Sequence, residues 1–349
     1  MHINEIDTPA AVVDVDKLEA NIKRLQDYLD QHGVANRPHI KTHKIPEIAH
    51  MQLRAGAVGV TCQKLGEAEV MAQAGIQDIF LPYNILGESK LERLMHLTRR
   101  VQISVTADSE VTVRGLSQAA RREGTILPVL VEFDSGIGRC GTQSPQETAD
   151  LAQLIAKSPG LHFGGLMTYP NSAHVDAFVA ETKVLLDAAG LPVERISGGG
   201  SPCMWQVHEH PAITEHRAGT YVYGDRAMVK SGAMSLEQCA FTIIATVVSR
   251  PTAQRGILDS GSKTLSSDLQ GLEGYGLILE YPEAGIYRLN EEHAHVDFSQ
   301  CARKPDIGER VTVIPNHCCV VNNLFNQVIG VRGEMVEVVW PVAARGLLQ

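Results

Sequence analysis

A chain of 349 residues with 44% hydrophobic and 20% charged residues has the composition of a folded globular protein, with length enough for more than one compact unit. A formal net charge of −9 and the absence of any basic block exclude nucleic-acid binding through bulk charge. No apolar run approaches a membrane span, and Met1–Pro9 has neither a basic nor an apolar leader region, so a cytoplasmic protein without membrane attachment is expected.

Residues 10–15 read as a first strand, and Asp16 is the expected N-cap of a helix to Gln31 that carries Leu18, Ile22, Leu25 and Leu29 at helical spacing. From Arg37 onward strands and helices alternate. Strands are expected at 37–42, 58–62, 79–82, 102–106, 127–133, 163–168, 194–197 and 215–221, with helices such as 46–55, 65–74, 90–98 and 148–157 between most of them. Eight is the number that closes a (β/α)8 TIM-type barrel, and no Gly-x-Gly-x-x-Gly follows the first strand to favour an open doubly wound sheet. After Gly232 the texture becomes strand-like at 239–249, 256–259, 293–298, 310–314 and 327–340, with a hairpin turn at 331–334. The expected organisation is an α/β barrel over 16–232 and a second, mainly β C-terminal domain over 233–349, to which residues 1–15 are assigned. The seven scattered cysteines fit reduced thiols in a cytoplasmic protein.

Four places invite chemistry. Barrel strand ends line the catalytic face, so Lys41 in Arg37-Pro38-His39-Ile40-Lys41-Thr42-His43-Lys44 would project into a site. A Schiff-base lysine must be a free amine part of the time, and Lys44 with protonated His39 or His43 would lower its pKa; the segment reads equally as a solvated basic strand end. Ser197-Gly198-Gly199-Gly200-Ser201, after strand seven, can bring backbone N–H groups and a hydroxyl to an anion, or can simply be a tight turn. Arg139, after strand five, either faces a ligand or pairs with Asp134, while Gln63 and Tyr169 end strands two and six. His317 and Cys319, two apart, would share one face of an extended segment with Cys318 on the other; an imidazole and a thiolate there can clamp a divalent ion, although a buried strand histidine is the plainer reading.

Taken together these stretches resemble the D-threonine aldolase and D-serine dehydratase family of pyridoxal-phosphate enzymes. The resemblance runs through Thr8-Pro9-Ala10, the Lys41 segment, Cys62-Gln63-Lys64-Leu65-Gly66-Glu67-Ala68-Glu69, Ser197 to Pro202, Gly219-Thr220-Tyr221-Val222-Tyr223 and Pro315-Asn316-His317-Cys318-Cys319. It implies an alanine-racemase-type fold with Lys41 as the catalytic, cofactor-bearing lysine. It further implies pyridoxal 5′-phosphate held by Arg139, Gly199, Gly200, Ser201 and the strand-eight Tyr221, with Gln63 and Tyr169 placed towards the same cavity by their positions at strand ends. A divalent metal would sit on His317 and Cys319, and the thiolate favours zinc over manganese or magnesium. A homodimer acting on a small amino acid is implied as well. The implied reaction is retro-aldol cleavage of a D-β-hydroxy amino acid to glycine and an aldehyde, towards which Cys62–Glu69 and Gly261-Ser262-Lys263-Thr264 tip the resemblance. The alternatives are dehydration of D-serine or D-3-hydroxyaspartate to a keto acid and ammonia, and metal-independent racemisation. There is one departure: where aldolase members are expected to carry a histidine after the strand-six tyrosine, this chain has Pro170, with His174 nearby. Glu291-Glu292-His293 resembles a loop of the aldolase-like members.

Overall fold

The computed structural model describes residues 1–193 and 195–349, which divide into two compact units built from interleaved segments. One comprises Leu25–Lys41, Ile48–Gly219 and Gly346–Gln349, the other Met1–Arg24, Thr42–Glu47 and Thr220–Arg345. β1 (Ala10–Asp14) and α1 (Val15–Gln31) open the chain. Leu18, Ile22, Leu25 and Leu29 of α1 are buried as their spacing requires. The cap is Asp14, whose Oδ1 accepts the Lys17 N–H at 3.1 Å, while Asp16 turns outward to pair with Arg332.

The first unit is an eight-stranded parallel sheet: β2 (Ala35–Asn36), β3 (Val60–Thr61), β4 (Asp78–Asn84), β5 (Gln102–Ala107), β6 (Leu127–Glu132), β7 (Leu161–Met167), β8 (Ile196–Gly199) and β9 (Glu215–Arg217), in the order β2-β9-β8-β7-β6-β5-β4-β3. It closes on itself because Val58 and Thr61 donate to the carbonyls of Asn36 and Pro38, and Ile40 donates to that of Thr61. Between the strands run α2 (Pro46–Ala55), α3 (Leu65–Gln73), α4 (Glu88–Thr98), α5 (Glu110–Glu123), α6 (Pro145–Lys157) and α7 (Val175–Ala188). The (β/α)8 expectation is met. The first and last barrel strands are shorter than expected. After β2, Arg37 and His39 still donate to the carbonyls of His216 and Ala218, but the chain turns at Ile40. β9 ends at Arg217, and Thr220–Val222 coils into a 3-10 turn, so Tyr221 is not a strand residue. Glu194, expected to start strand seven, lies outside the described residues. A buried polar chain fills the barrel: Glu215 accepts from Arg37, Arg195 and Ser197, and Arg217 donates to Ser197 Oγ at 2.6 Å.

The second unit is a sheet ordered β13-β14-β11-β10-β1-β16-β17, with β15 pairing both β10 and β12. Its strands after the barrel are β10 (Phe241–Ser249), β11 (Arg255–Leu258), β12 (Leu277–Ile278), β13 (Gly285–Leu289), β14 (Ala294–Asp297), β15 (Arg310–Ile314), β16 (Gln327–Arg332) and β17 (Met335–Pro341), with three short helices, α8 (Arg226–Lys230), α9 (Ser262–Leu265) and α10 (Cys318–Asn322). β1 runs antiparallel to β10 and parallel to β16, so Val12 lies between Thr242 and Ile329. Ala10, Val12, Ile244, Ile329 and Val331 share one apolar cluster. Among the described residues no helix is long and apolar enough to cross a membrane.

Candidate active site

In the barrel, Lys41 is half-buried in the turn that follows β2, at the C-terminal end of the first barrel strand. Its Nζ lies 6.0 Å from the centroid of the Tyr169 ring, and the guanidinium of Arg139 lies 4.9 Å from the same ring. His39 is not the cation expected beside Lys41. Its Nδ1 accepts the Lys41 N–H at 3.4 Å and its Nε2 faces Gln63 Oε1 at 3.0 Å. Gln63 thus holds His39. Arg139 pairs not with Asp134 but with Glu132, 3.9 Å away. Asp134 instead accepts the N–H groups of Gly136, Ile137 and Gly138. Burial, together with Asp108 and Asp134, pushes the Glu132 carboxyl up to about 7 against the pull of Arg139 and Arg217.

The glycine run is fixed from one side by Asn171, whose Oδ1 accepts the Gly199 N–H at 2.9 Å and whose N–H donates to the Gly199 carbonyl at 3.0 Å. The Gly199 N–H therefore points at protein and not at an anion. A Cβ on Gly198 would stand 2.2 Å from Asn171 Oδ1, and Gly200 has φ +118°, so both positions demand glycine. Ser201 Oγ accepts the Gly219 N–H at 3.0 Å. Sequence reasoning missed two residues here. Arg217 ends the eighth strand, is fully buried, and reaches both Ser197 Oγ and the Thr168 carbonyl; burial pushes it down to about 10. The rule that strand ends face the site would have found it. Asn171 follows Pro170 and carries no such signal. His174 is exposed at the start of α7.

In the other unit, His317 and Cys319 do not lie on an extended segment. His317 is the N-cap of α10, and Cys319 sits in its first turn. The two side chains act on one another electrostatically: the Cys319 thiolate helps push the imidazole up to about 9 against the cost of burial, and the Cys319 thiol is held well below its ordinary value. Thr42 Oγ1 and Thr220 Oγ1 lie 3.1 and 3.5 Å from the Cys319 sulfur. Cys318 does not face away. It is buried, its thiol is pushed well above its ordinary value by burial and by the Cys319 and Asp225 groups beside it, and its N–H donates to Asp225 Oδ2 at 3.0 Å. Tyr221 belongs to this unit, buried in the 3-10 turn. The remaining two motifs meet at the surface, where Lys263 pairs with both Glu291 and Glu292.

A family model for the alanine racemase N-terminal domain matches residues 13–227, and a second, for a serine dehydratase domain, matches residues 240–331. The chain is 35% identical to the D-threonine aldolase of Arthrobacter sp., over 98% of this chain and 93% of that one. The chain belongs to the D-threonine aldolase and D-serine dehydratase family. Among solved structures, the D-threonine aldolase from Filomicrobium marinum superposes with a TM-score of 0.92 at 31% identity, covering 99% of this chain and 97% of that one. D-threo-3-hydroxyaspartate dehydratase from Delftia sp. HT23 gives 0.87 at 27% identity, with 97% and 98% covered. Members of the D-threonine aldolase and D-serine dehydratase family are pyridoxal-phosphate-dependent lyases, and this chain is an enzyme of that class.

The residues present fit that family's cofactor. The barrel end offers an amine on Lys41, a glycine cradle that a Cβ at position 198 or 200 would disrupt, and the Tyr169, Arg139 and Arg217 side chains. The donor types in the second unit, an imidazole that caps α10 and a thiol in its first turn, suit a divalent ion. Among the described residues no cluster of three or more His, Cys, Asp or Glu side chains is arranged to hold a metal.

Proposed function

We propose that this protein is a pyridoxal-phosphate- and divalent-metal-dependent lyase that cleaves D-β-hydroxy amino acids by retro-aldol chemistry to glycine and an aldehyde. The observation that carries the reading is the placement of His317 as the cap of α10 with Cys319 in its first turn: a racemase has no use for an imidazole–thiolate pair, whereas a β-hydroxyl is a poor acid and a poor leaving group without a Lewis acid beside it. When bound, pyridoxal phosphate supplies an electron sink next to Cα and the metal a Lewis acid at the β-hydroxyl. The chain's own residues do the rest. Lys41 provides the amine that holds the cofactor. Gly200 and Ser201 would hold the phosphate, and Gly199 contributes by shape, its N–H being tied to Asn171. Arg139 and Arg217 would bring guanidinium charge to the barrel end where the cofactor would sit, Tyr169 packs against Arg139, and Gln63 fixes His39 and through it the Lys41 turn. Zinc suits the thiolate better than manganese or magnesium. The seven unpaired cysteines accord with a reducing cytoplasm, and a homodimer follows from the resemblance.

Dehydration to a keto acid and ammonia is the second reading. Its support is that D-threo-3-hydroxyaspartate dehydratase has been solved with a histidine replaced and, in a metal-free form, with a cysteine two positions further on replaced, the spacing of His317 and Cys319. Incubating the zinc-loaded enzyme with D-threonine, D-serine and D-threo-3-hydroxyaspartate separates the two. Glycine with an aldehyde supports the aldolase, while keto acid with ammonia and no glycine overturns it. Lys41→Ala should abolish turnover and leave no cofactor attached after borohydride treatment. Cofactor trapped on a different lysine would remove Lys41 from its role.

A further inference from the structure

The metal reading needs His317 to present one particular nitrogen, and its surroundings decide which. His317 Nδ1 lies 2.6 Å from Asp268 Oδ2 and 3.1 Å from Gln270 Nε2. A carboxylate only accepts, and the Gln270 amide donates to that same oxygen at 2.8 Å, so Nδ1 must carry a proton and give it to Asp268. Nε2 is then the nitrogen left to meet Cys319 or an ion.

The loop that brings Asp268 there is built at a cost. Lys44, Ser266 and Gln270 are the non-glycine residues with positive φ among those described, and the latter two bracket Asp268 at +64° and +50°. Asp268 N–H donates to Ser266 Oγ at 3.0 Å. The rest of the loop is clamped: Asn316, next to His317, donates to the Gly274 carbonyl at 2.8 Å, and Lys230 donates to that of Gly271 at 2.7 Å. Arg226 ties Asn316 Oδ1 at 2.7 Å to the Glu273 carbonyl at 3.1 Å. A strained loop pinned beside a histidine is what fixing a side-chain direction requires, because ligand imidazoles are aimed by the partner of their other nitrogen.

We propose that Asp268 is a positioning residue for the metal centre, locking His317 in the tautomer that offers Nε2 to the ion, with Gln270 and the clamped 266–274 loop holding the carboxylate in place. This rests on the metal reading above. The test measures zinc affinity by chelator competition on the full-length enzyme, in wild type, Asp268→Ala, Asp268→Asn and Cys319→Ala. Asp268→Ala should weaken zinc binding by roughly 10- to 100-fold, with Asp268→Asn, which keeps an accepting oxygen, falling between it and wild type. The thermal midpoint of the metal-free protein serves as the check on folding, and the thiolate-to-metal absorption of the cobalt-loaded variants should shift with affinity. Cys319→Ala is the control: zinc bound there as in wild type would overturn the metal reading itself, whereas a dead control with Asp268→Ala at wild-type affinity would overturn only the role of Asp268. Nitrogen NMR of labelled histidine in the zinc-loaded wild type gives a check that needs no variant. A metallated Nδ1 sinks the proposal; a protonated Nδ1 and metallated Nε2 support it.

Discussion

Glu132 shows how one buried carboxyl can write itself into the pH dependence of the whole enzyme. Its pKa rises from an unfolded value near 4.5 to about 7, because burial and the charges of Asp108 and Asp134 outweigh Arg139 and Arg217. Between those two values the folded chain holds a proton that the unfolded chain has released. Stability from this group is therefore fully present below about pH 4.5 and is lost as pH rises through 7. Urea unfolding between pH 5 and 8 should show wild type losing stability over that window and Glu132→Gln losing less. Parallel curves would mean that Glu132 is ionised throughout. Nothing in the sequence marks Glu132, which reads as an ordinary strand end; its burial and the 3.9 Å approach of Arg139 are facts of packing. Lys41 was legible for the opposite reason, since its neighbours along the chain form the signal. Asp268 was not, since only folding brings it to His317.

At the scale of elements, helices were read well and strand ends poorly. α2 begins and ends where expected because Pro46 sets its first turn and an apolar stripe, Ile48 and Ala49 among it, faces inward. The first barrel strand was overestimated because a run of alternating residues continues past the point where pairing stops, and β12 was missed directly after glycines 271, 274 and 276, all at positive φ. The His317–Cys319 segment was read in the wrong conformation. Two side chains two apart can also lie near one another when one caps a helix and the other lies in its first turn, as His317 and Cys319 do in α10. The glycine run yields a prediction of its own. Gly198→Ala should weaken cofactor binding and lower stability by about 1–3 kcal/mol, since its Cβ would stand 2.2 Å from Asn171 Oδ1. Adding Asn171→Gly should restore part of the stability without restoring cofactor affinity. Unchanged affinity in Gly198→Ala, measured by cofactor absorbance during dialysis, would detach this cradle from the phosphate.

For the molecule as a whole, composition and alternation pointed to a barrel followed by β structure that takes in residues 1–15, but not to the short stretch Thr42–Glu47, which belongs to that same unit. A fragment of residues 233–349 should accordingly fail to fold cooperatively, because it lacks β1, the strand between β10 and β16. A sigmoidal urea transition from that fragment would show that β1 is dispensable. The placement of β1 also sets a timetable. The ribosome makes Val12 near the start and Ile329, its parallel partner, near the end. At the usual pace of synthesis the wait is on the order of tens of seconds. Throughout it Ala10-Ala11-Val12-Val13, a short apolar stretch with both backbone edges unpaired, has no sheet to join. The nascent chain should thus engage chaperones through its first residues and release them only as β16 emerges, and messages stalled upstream of position 327 should leave products prone to aggregate however complete their barrels are.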